Sequence, residues 1–154
     1  EDTQNNYLST VLAHLDRLSE YKVLAGSDLK ILAMSIQSLM HLLAIGGLSL
    51  PLYYCCQTGK KIQPPIGNWD WKCFFIPSEG FSIIADARSL LDLNASETAL
   101  MQRLLFPDLP IKSNGELLGP KKVWIKILKI FCMWVSFQLG KEISSLKILG
   151  EFYR

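Results

Sequence analysis

The sequence predicts a mainly α fold: a helical domain with a small antiparallel β insert between two helical halves. Three observations carry that expectation. Apolar residues recur at spacings of three and four in long stretches near both ends, the signature of amphipathic helices. Between positions 52 and 86 the composition turns aromatic and strand-favouring, with Pro and Gly breaking the runs. The length, 154 residues, suits one domain with a real core and hardly two. The expected organisation is a single domain over 1–154, with helical parts at 6–47 and 94–154 and the insert at 52–86.

The first helix is expected from Asn6 to Tyr21, where Leu8, Val11, Leu12, Leu15 and Leu18 form one stripe. Gly26 interrupts the pattern, and Ser27 or Asp28 is placed to cap a second helix over Leu29–Ile45. Its apolar face carries Leu29, Leu32, Ile36, Leu39, Met40 and Leu43, with Lys30, Gln37 and His41 on the other side. Gly46-Gly47 stops it in the manner of a left-handed helix cap. In the insert, Leu52–Cys56 and Trp71–Ile76 read as strands. Pro77-Ser78-Glu79-Gly80 reads as a turn and Phe81–Ala85 as the returning strand. Gly59, Pro64, Pro65 and Gly67 make the segment between them a loop.

Asn94 with Glu97 three residues on has the form of a capping box. The helix it opens carries Leu100, Met101, Leu104 and Leu105 and closes at Pro107. A linker follows to Gly119, and Pro120 sits where a first-turn proline belongs. The last long helix runs to about Gln138, with Ile125, Leu128, Phe131, Cys132, Val135 and Leu139 on its apolar side. A short amphipathic tail, Ile143–Phe152, ends the chain.

Hydrophobic residues make up 49% of the chain and charged residues only 19%, which argues against disorder. That apolar share exceeds what a free-standing domain needs, so a neighbour or partner is expected to cover part of the surface. The first residue is Glu1, consistent with an excised piece of a longer protein. A net charge of +2 argues against a polyanion binder charged all over. The charge is uneven, however: residues 112–154 hold eight bases and three acids, the remainder eight bases and eleven acids. The C-terminal helical end is therefore the candidate surface for an acidic partner.

The stretch Ile31–Gly59 contains no Lys, Arg, Asp or Glu, which raises the question of a membrane span. Ser35, Gln37, Ser38 and His41 interrupt it, and Gly46-Gly47 and Pro51 end it, so none is expected. The polar start EDTQNN has no signal-peptide pattern, and the four cysteines have no regular spacing. A cytoplasmic, soluble protein is the expectation.

Nucleophile-elbow, zinc-protease, dinucleotide and P-loop motifs are absent from the sequence, so no enzymatic activity is expected. His14 and His41 each stand alone within a helix, and Cys73 and Cys132 lie on apolar stripes as core residues. Cys55 and Cys56 are adjacent rather than spaced as a chelating pair, so no metal is expected. Two basic groups are candidate binding positions. Lys122, Lys126 and Lys129 align at i, i+4 and i+7, either as a solvated face or as a docking strip beside an apolar groove. Lys60 and Lys61 lie near Tyr53, Tyr54, Trp69 and Trp71 in sequence. That pairing suits phosphate contacts with base stacking, or rings that simply fill a small β core.

Taken in order, several short motifs resemble the C-terminal part of the RecO family of bacterial recombination mediators. They are His41-Leu42-Leu43-Ala44-Ile45-Gly46-Gly47 before the insert, Cys55-Cys56-Gln57-Thr58-Gly59 at its start, and Gly80-Phe81-Ser82 in its hairpin. The ending, Leu139-Gly140-Lys141-Glu142-Ile143-Ser144-Ser145-Leu146-Lys147, resembles the family's closing stretch. Many members carry C-x-x-C-G at the start of the insert and a second C-x-x-C after the hairpin. Here Cys55 matches the first ligand, Thr58 replaces the second, and the later pair falls near Ile83 and Asp86. The insert is thus expected to be a degenerate zinc finger without zinc or another cofactor, held by aromatic packing. The family's N-terminal OB-fold has no counterpart in this sequence.

The resemblance implies a recombination mediator that binds single- and double-stranded DNA, anneals strands, associates with RecR and helps RecA load at gaps. It also implies binding of the acidic, apolar-ended tail of single-stranded-DNA-binding protein. Lys122, Lys126 and Lys129 are the candidates for that tail by their chemistry, and Lys60, Lys61, Lys141 and Lys147 for nucleic acid. The alternatives are a purely structural helical docking domain and, behind it, a membrane-surface protein using the Ile31–Gly59 stretch.

Overall fold

A computed structural model describes residues 26–138. The helix expected at 6–21, the tail at 143–152 and the candidates Lys141 and Lys147 lie outside these residues. In chain order the elements are α1 (Gly26–Ile45), β1 (Lys72–Ile76), β2 (Gly80–Ser82), β3 (Leu91–Asn94), α2 (Ala95–Arg103) and α3 (Lys121–Gln138).

Helix α1 already includes Ser27 and Asp28, the residues expected to cap it, and ends where its glycines require. Gly47 takes φ 92°, the Gly47 amide bonds the Ala44 carbonyl at 3.0 Å, and the Leu48 amide bonds that of Leu43 at 2.8 Å. This pair of bonds is the Schellman arrangement, which satisfies carbonyls the helix would otherwise leave open. Leu29, Leu32, Ile36, Met40 and Leu43 are buried as expected.

The opposite side of α1 does not face water as an amphipathic pattern suggests. Gln37 is only 8% exposed, and its amide donates to the carbonyls of Phe106 (2.8 Å) and Asp108 (3.0 Å). The His41 ring bonds the Leu104 carbonyl at 2.9 Å, and the Lys30 ammonium donates to Gly115 at 3.2 Å. Three polar side chains of α1 therefore fasten the α2–α3 connection through its part-buried carbonyls.

The insert is a three-stranded antiparallel sheet in the order β2-β1-β3. Phe75 faces Phe81 across β1 and β2, and Cys73 faces Leu93 across β1 and β3. The Phe75 and Phe81 rings are 5.2 Å apart at 39°, a tilted aromatic contact in the core. Three expectations need correction. Leu52–Cys56 is not a strand but is held by a single bridge, Tyr54 to Lys61, and by the Gln102 amide donating to Leu52 (2.9 Å) and Ile62 (3.0 Å). The returning strand stops at Ser82, because the Ser82 hydroxyl bonds the Ile84 amide and carbonyl and turns the chain. The sheet also extends beyond residue 86, gaining β3 immediately before α2.

Helix α2 opens on the expected capping box: the Glu97 amide reaches Asn94 Oδ1 at 2.8 Å and the Asn94 amide reaches Glu97 Oε1 at 2.9 Å. It ends at Arg103, before Pro107, in turns through Leu104–Phe106. Pro120 lies one position earlier than expected, its carbonyl accepting the first bond of α3 from Trp124. Trp124 is fully buried, and its indole donates to Leu118 at 2.8 Å. From Ile127 to Ser136, apart from Lys129, α3 is buried on all sides. It forms the centre of the core rather than one wall of it.

Candidate partner-binding groove on the last helix

The first turns of α3 pass beside the β3–α2 junction, and there the described residues leave the helix uncovered. Leu91, Lys121, Lys122, Ile125, Lys126 and Lys129 line a groove of about 540 Å³. Half-buried Leu91 and Ile125 supply an apolar floor, and the lysines supply the rim. The three expected lysines are thus brought together, but they are not equivalent. Lys126 is pinned: its ammonium lies 3.0 Å from Glu97 Oε1 and donates to the Asp92 carbonyl at 3.2 Å. The two side chains are 25% and 11% exposed, so this pair is well shielded from water. Lys122 is exposed and Lys129 half-buried, and neither forms an ion pair among the described residues. A positive rim around an apolar floor is suited to a short chain that ends in an apolar residue and carries acids.

Lys60 and Lys61 do not enter this groove. They sit exposed on the insert, in a turn closed by the Gly59 amide to Cys55 (2.9 Å) and the Cys55 amide to Lys60 (2.8 Å). Of the nearby rings, Tyr54 (62% exposed) and Trp69 (80%) face solvent. Tyr53 is tied to the Gln102 carbonyl at 3.2 Å, and burial raises its hydroxyl pKa. Trp69 borders a second groove of about 630 Å³ with Ile66, Leu100, Arg103, Leu118 and Val123.

The positions that the resemblance assigned to zinc ligands do converge in space. The Cys55 thiol donates to Ser82 Oγ at 3.6 Å, and the Ile83 amide donates to Cys55 Sγ at 3.4 Å. Burial raises the Cys55 pKa, but its hydrogen bonds with Thr58, Ile83 and Ser82 outweigh it and bring the thiol down to about 6. Burial pushes the Cys73 thiol up to about 12. Among the described residues, no three His, Cys, Asp or Glu side chains are grouped as metal ligands. No helix of the described residues is long and apolar enough to cross a membrane.

Leu91 completes the groove, and Asp92 and Glu97 hold its pinned lysine; no local sequence pattern places them there. Glu97 lies 29 residues from Lys126, and β3 is too short and polar to announce itself.

The family model described as "Recombination protein O C terminal" matches residues 1–147. This chain belongs to that RecO family. A DNA repair protein RecO of Synechococcus sp. (strain WH7803) is 45% identical over 152 residues, covering 98% of this chain and 56% of that protein. One from Prochlorococcus marinus (strain MIT 9313) is 43% identical over 145 residues, covering 94% and 54%. A more distant RecO, from Trichodesmium erythraeum, is 23% identical over 174 residues. The chain spans about half the length of the first two relatives. No solved structure matches it.

Proposed function

We propose that this chain is the partner-binding part of a RecO-type mediator of DNA repair and recombination, acting without catalysis. Its groove receives the acidic, apolar-ended tail of single-stranded-DNA-binding protein. The observation that carries this reading is the pairing of Lys122 and Lys129 with the apolar floor of Leu91 and Ile125 in one groove. Basic side chains attract and orient the acidic segment, and the floor buries its terminal ring. Lys126 is a positioning residue, since its charge is already spent on Glu97. Contacts with DNA by Lys60, Lys61, Lys141 and Lys147, association with RecR, strand annealing and help in loading RecA at gaps complete the reading. A soluble, cytoplasmic protein is the setting it requires.

Fluorescence anisotropy across a salt series tests it, with one labelled single-stranded oligonucleotide and one labelled acidic peptide ending in Phe. Peptide binding that weakens in Lys122→Glu, alongside weak DNA binding that falls steeply with salt, is expected. Binding to neither probe would contradict the reading. The docking alternative has its own observation: α1 exposes Ile31, Met34, Leu42 and Ile45. Self-association without affinity for either probe would favour it.

A further inference from the structure

The insert is closed at one point by side chains that lie far apart in sequence. Residues 55–58 meet residues 82–88 there, and the bonds between them span 25 to 29 positions. The Ser82 hydroxyl shares its proton between Gln57 Oε1 at 2.9 Å and the Ile84 carbonyl at 2.8 Å, and the Gln57 amide in turn donates to the Asp86 carboxylate. The Cys56 amide adds a backbone bond to Phe81 at 2.8 Å. Asp86 is held by Arg88, whose Nε lies 3.0 Å from Oδ1 and whose Nη2 lies 3.0 Å from Oδ2. Arg88 also reaches both oxygens of Glu79, at 2.9 and 3.1 Å.

A zinc ion does not fit this set. Zinc takes four Cys, His or carboxylate ligands in a tetrahedron, and the four corresponding positions here offer one thiol and one carboxylate. That carboxylate already faces a guanidinium, a fixed positive charge that would repel a cation.

We propose that a metal-free hydrogen-bond clasp, built from Cys55, Gln57, Ser82 and Asp86 and anchored by Arg88, closes the insert in place of zinc. Cross-linking distant points of a loop is what a metal knuckle contributes to a small fold, and the clasp joins the same two segments. The aromatic packing expected to hold the insert is present in Phe75 and Phe81, but it lies in the sheet and does not bridge residues 55–58 to 82–88.

Zinc content and thermal melting of the purified chain, with and without a strong chelator, test the clasp, together with Asp86→Ala and Asp86→Asn. The expected result is far less than one zinc per chain and a melting temperature unmoved by chelator. Asp86→Ala should melt lower by roughly 2–4 °C, with Asp86→Asn, which keeps an acceptor for Gln57, falling between. One retained zinc per chain, or a melting temperature that drops on chelation, would overturn the proposal. An Asp86→Ala chain as stable as the parent would overturn it equally. If Asp86→Ala does not fold, the chelation result and Asp86→Asn still decide.

Discussion

Lys126 of α3 and Glu97 of α2 form one unit: the Lys126 ammonium lies 3.0 Å from the carboxylate oxygen that also caps the Asn94 amide. The pair ties the start of α2 to α3 and sets the wall of the groove. Because both side chains are largely shielded, removing one partner leaves the other desolvated without compensation. Lys126→Ala is expected to destabilise the fold by about 1–3 kcal/mol, read in urea unfolding as a lower midpoint. Lys122→Ala, on the exposed rim, should change stability by no more than about 0.5 kcal/mol. Equal stability of the two variants would contradict the distinction.

Gln37→Leu keeps the size of the side chain but removes both donors to Phe106 and Asp108. Two carbonyls lose their partner, so a loss of about 1–3 kcal/mol is expected. Faster hydrogen exchange along the 104–119 connection should accompany it. A variant of parental stability would mean that water replaces the amide there.

Gly80 has φ 127°, and a Cβ there would meet Pro51 Cγ at 2.7 Å. Gly67 has φ 98° with open space around it. Gly80→Ala should therefore destabilise more than Gly67→Ala, which carries only the backbone strain of about 1–3 kcal/mol. The comparison of the two melting temperatures separates the steric term from the conformational one.

Legibility divides between local and long-range contacts. Local rules were readable directly: Asn94 with Glu97, Gly46-Gly47 and the apolar stripe of α1 needed only neighbours within one helical turn. The sheet was half legible. Phe74, Phe75 and Phe81 announce strands, whereas Leu91–Asn94 is four residues with two polar side chains, stabilised as β3 only by its pairing with β1. Leu52–Cys56 has the composition of a strand, yet its backbone bonds are scattered among Lys60, Phe81, Ile62 and the side chain of Gln102 rather than forming one ladder. At the groove, the alignment of Lys122, Lys126 and Lys129 was visible, but which lysine is consumed depends on Glu97, a contact no spacing rule reaches.

The thiols give a pH prediction. Cys73 is fully buried, and its pKa is raised from an ordinary value near 9 to about 12. The folded state therefore keeps a proton that the unfolded chain releases, so this contribution is intact below about pH 9 and lost as pH rises toward about 12. Melting temperature should fall across that window, and Cys73→Ala should flatten the fall. Thiol labelling at neutral pH should reach exposed Cys56 first, with Cys73 and Cys132 protected until unfolding.

The most direct test of the groove is the affinity of an acidic peptide ending in Phe for the parent chain and for the double variant Lys122→Glu, Lys129→Glu. A second peptide ending in Ala completes the measurement. The double variant is expected to lose at least about tenfold in affinity per reversed charge, and the Ala-ended peptide to bind the parent weakly, since both rim and floor are needed. Undiminished binding by the double variant, at a melting temperature equal to the parent's, would contradict it.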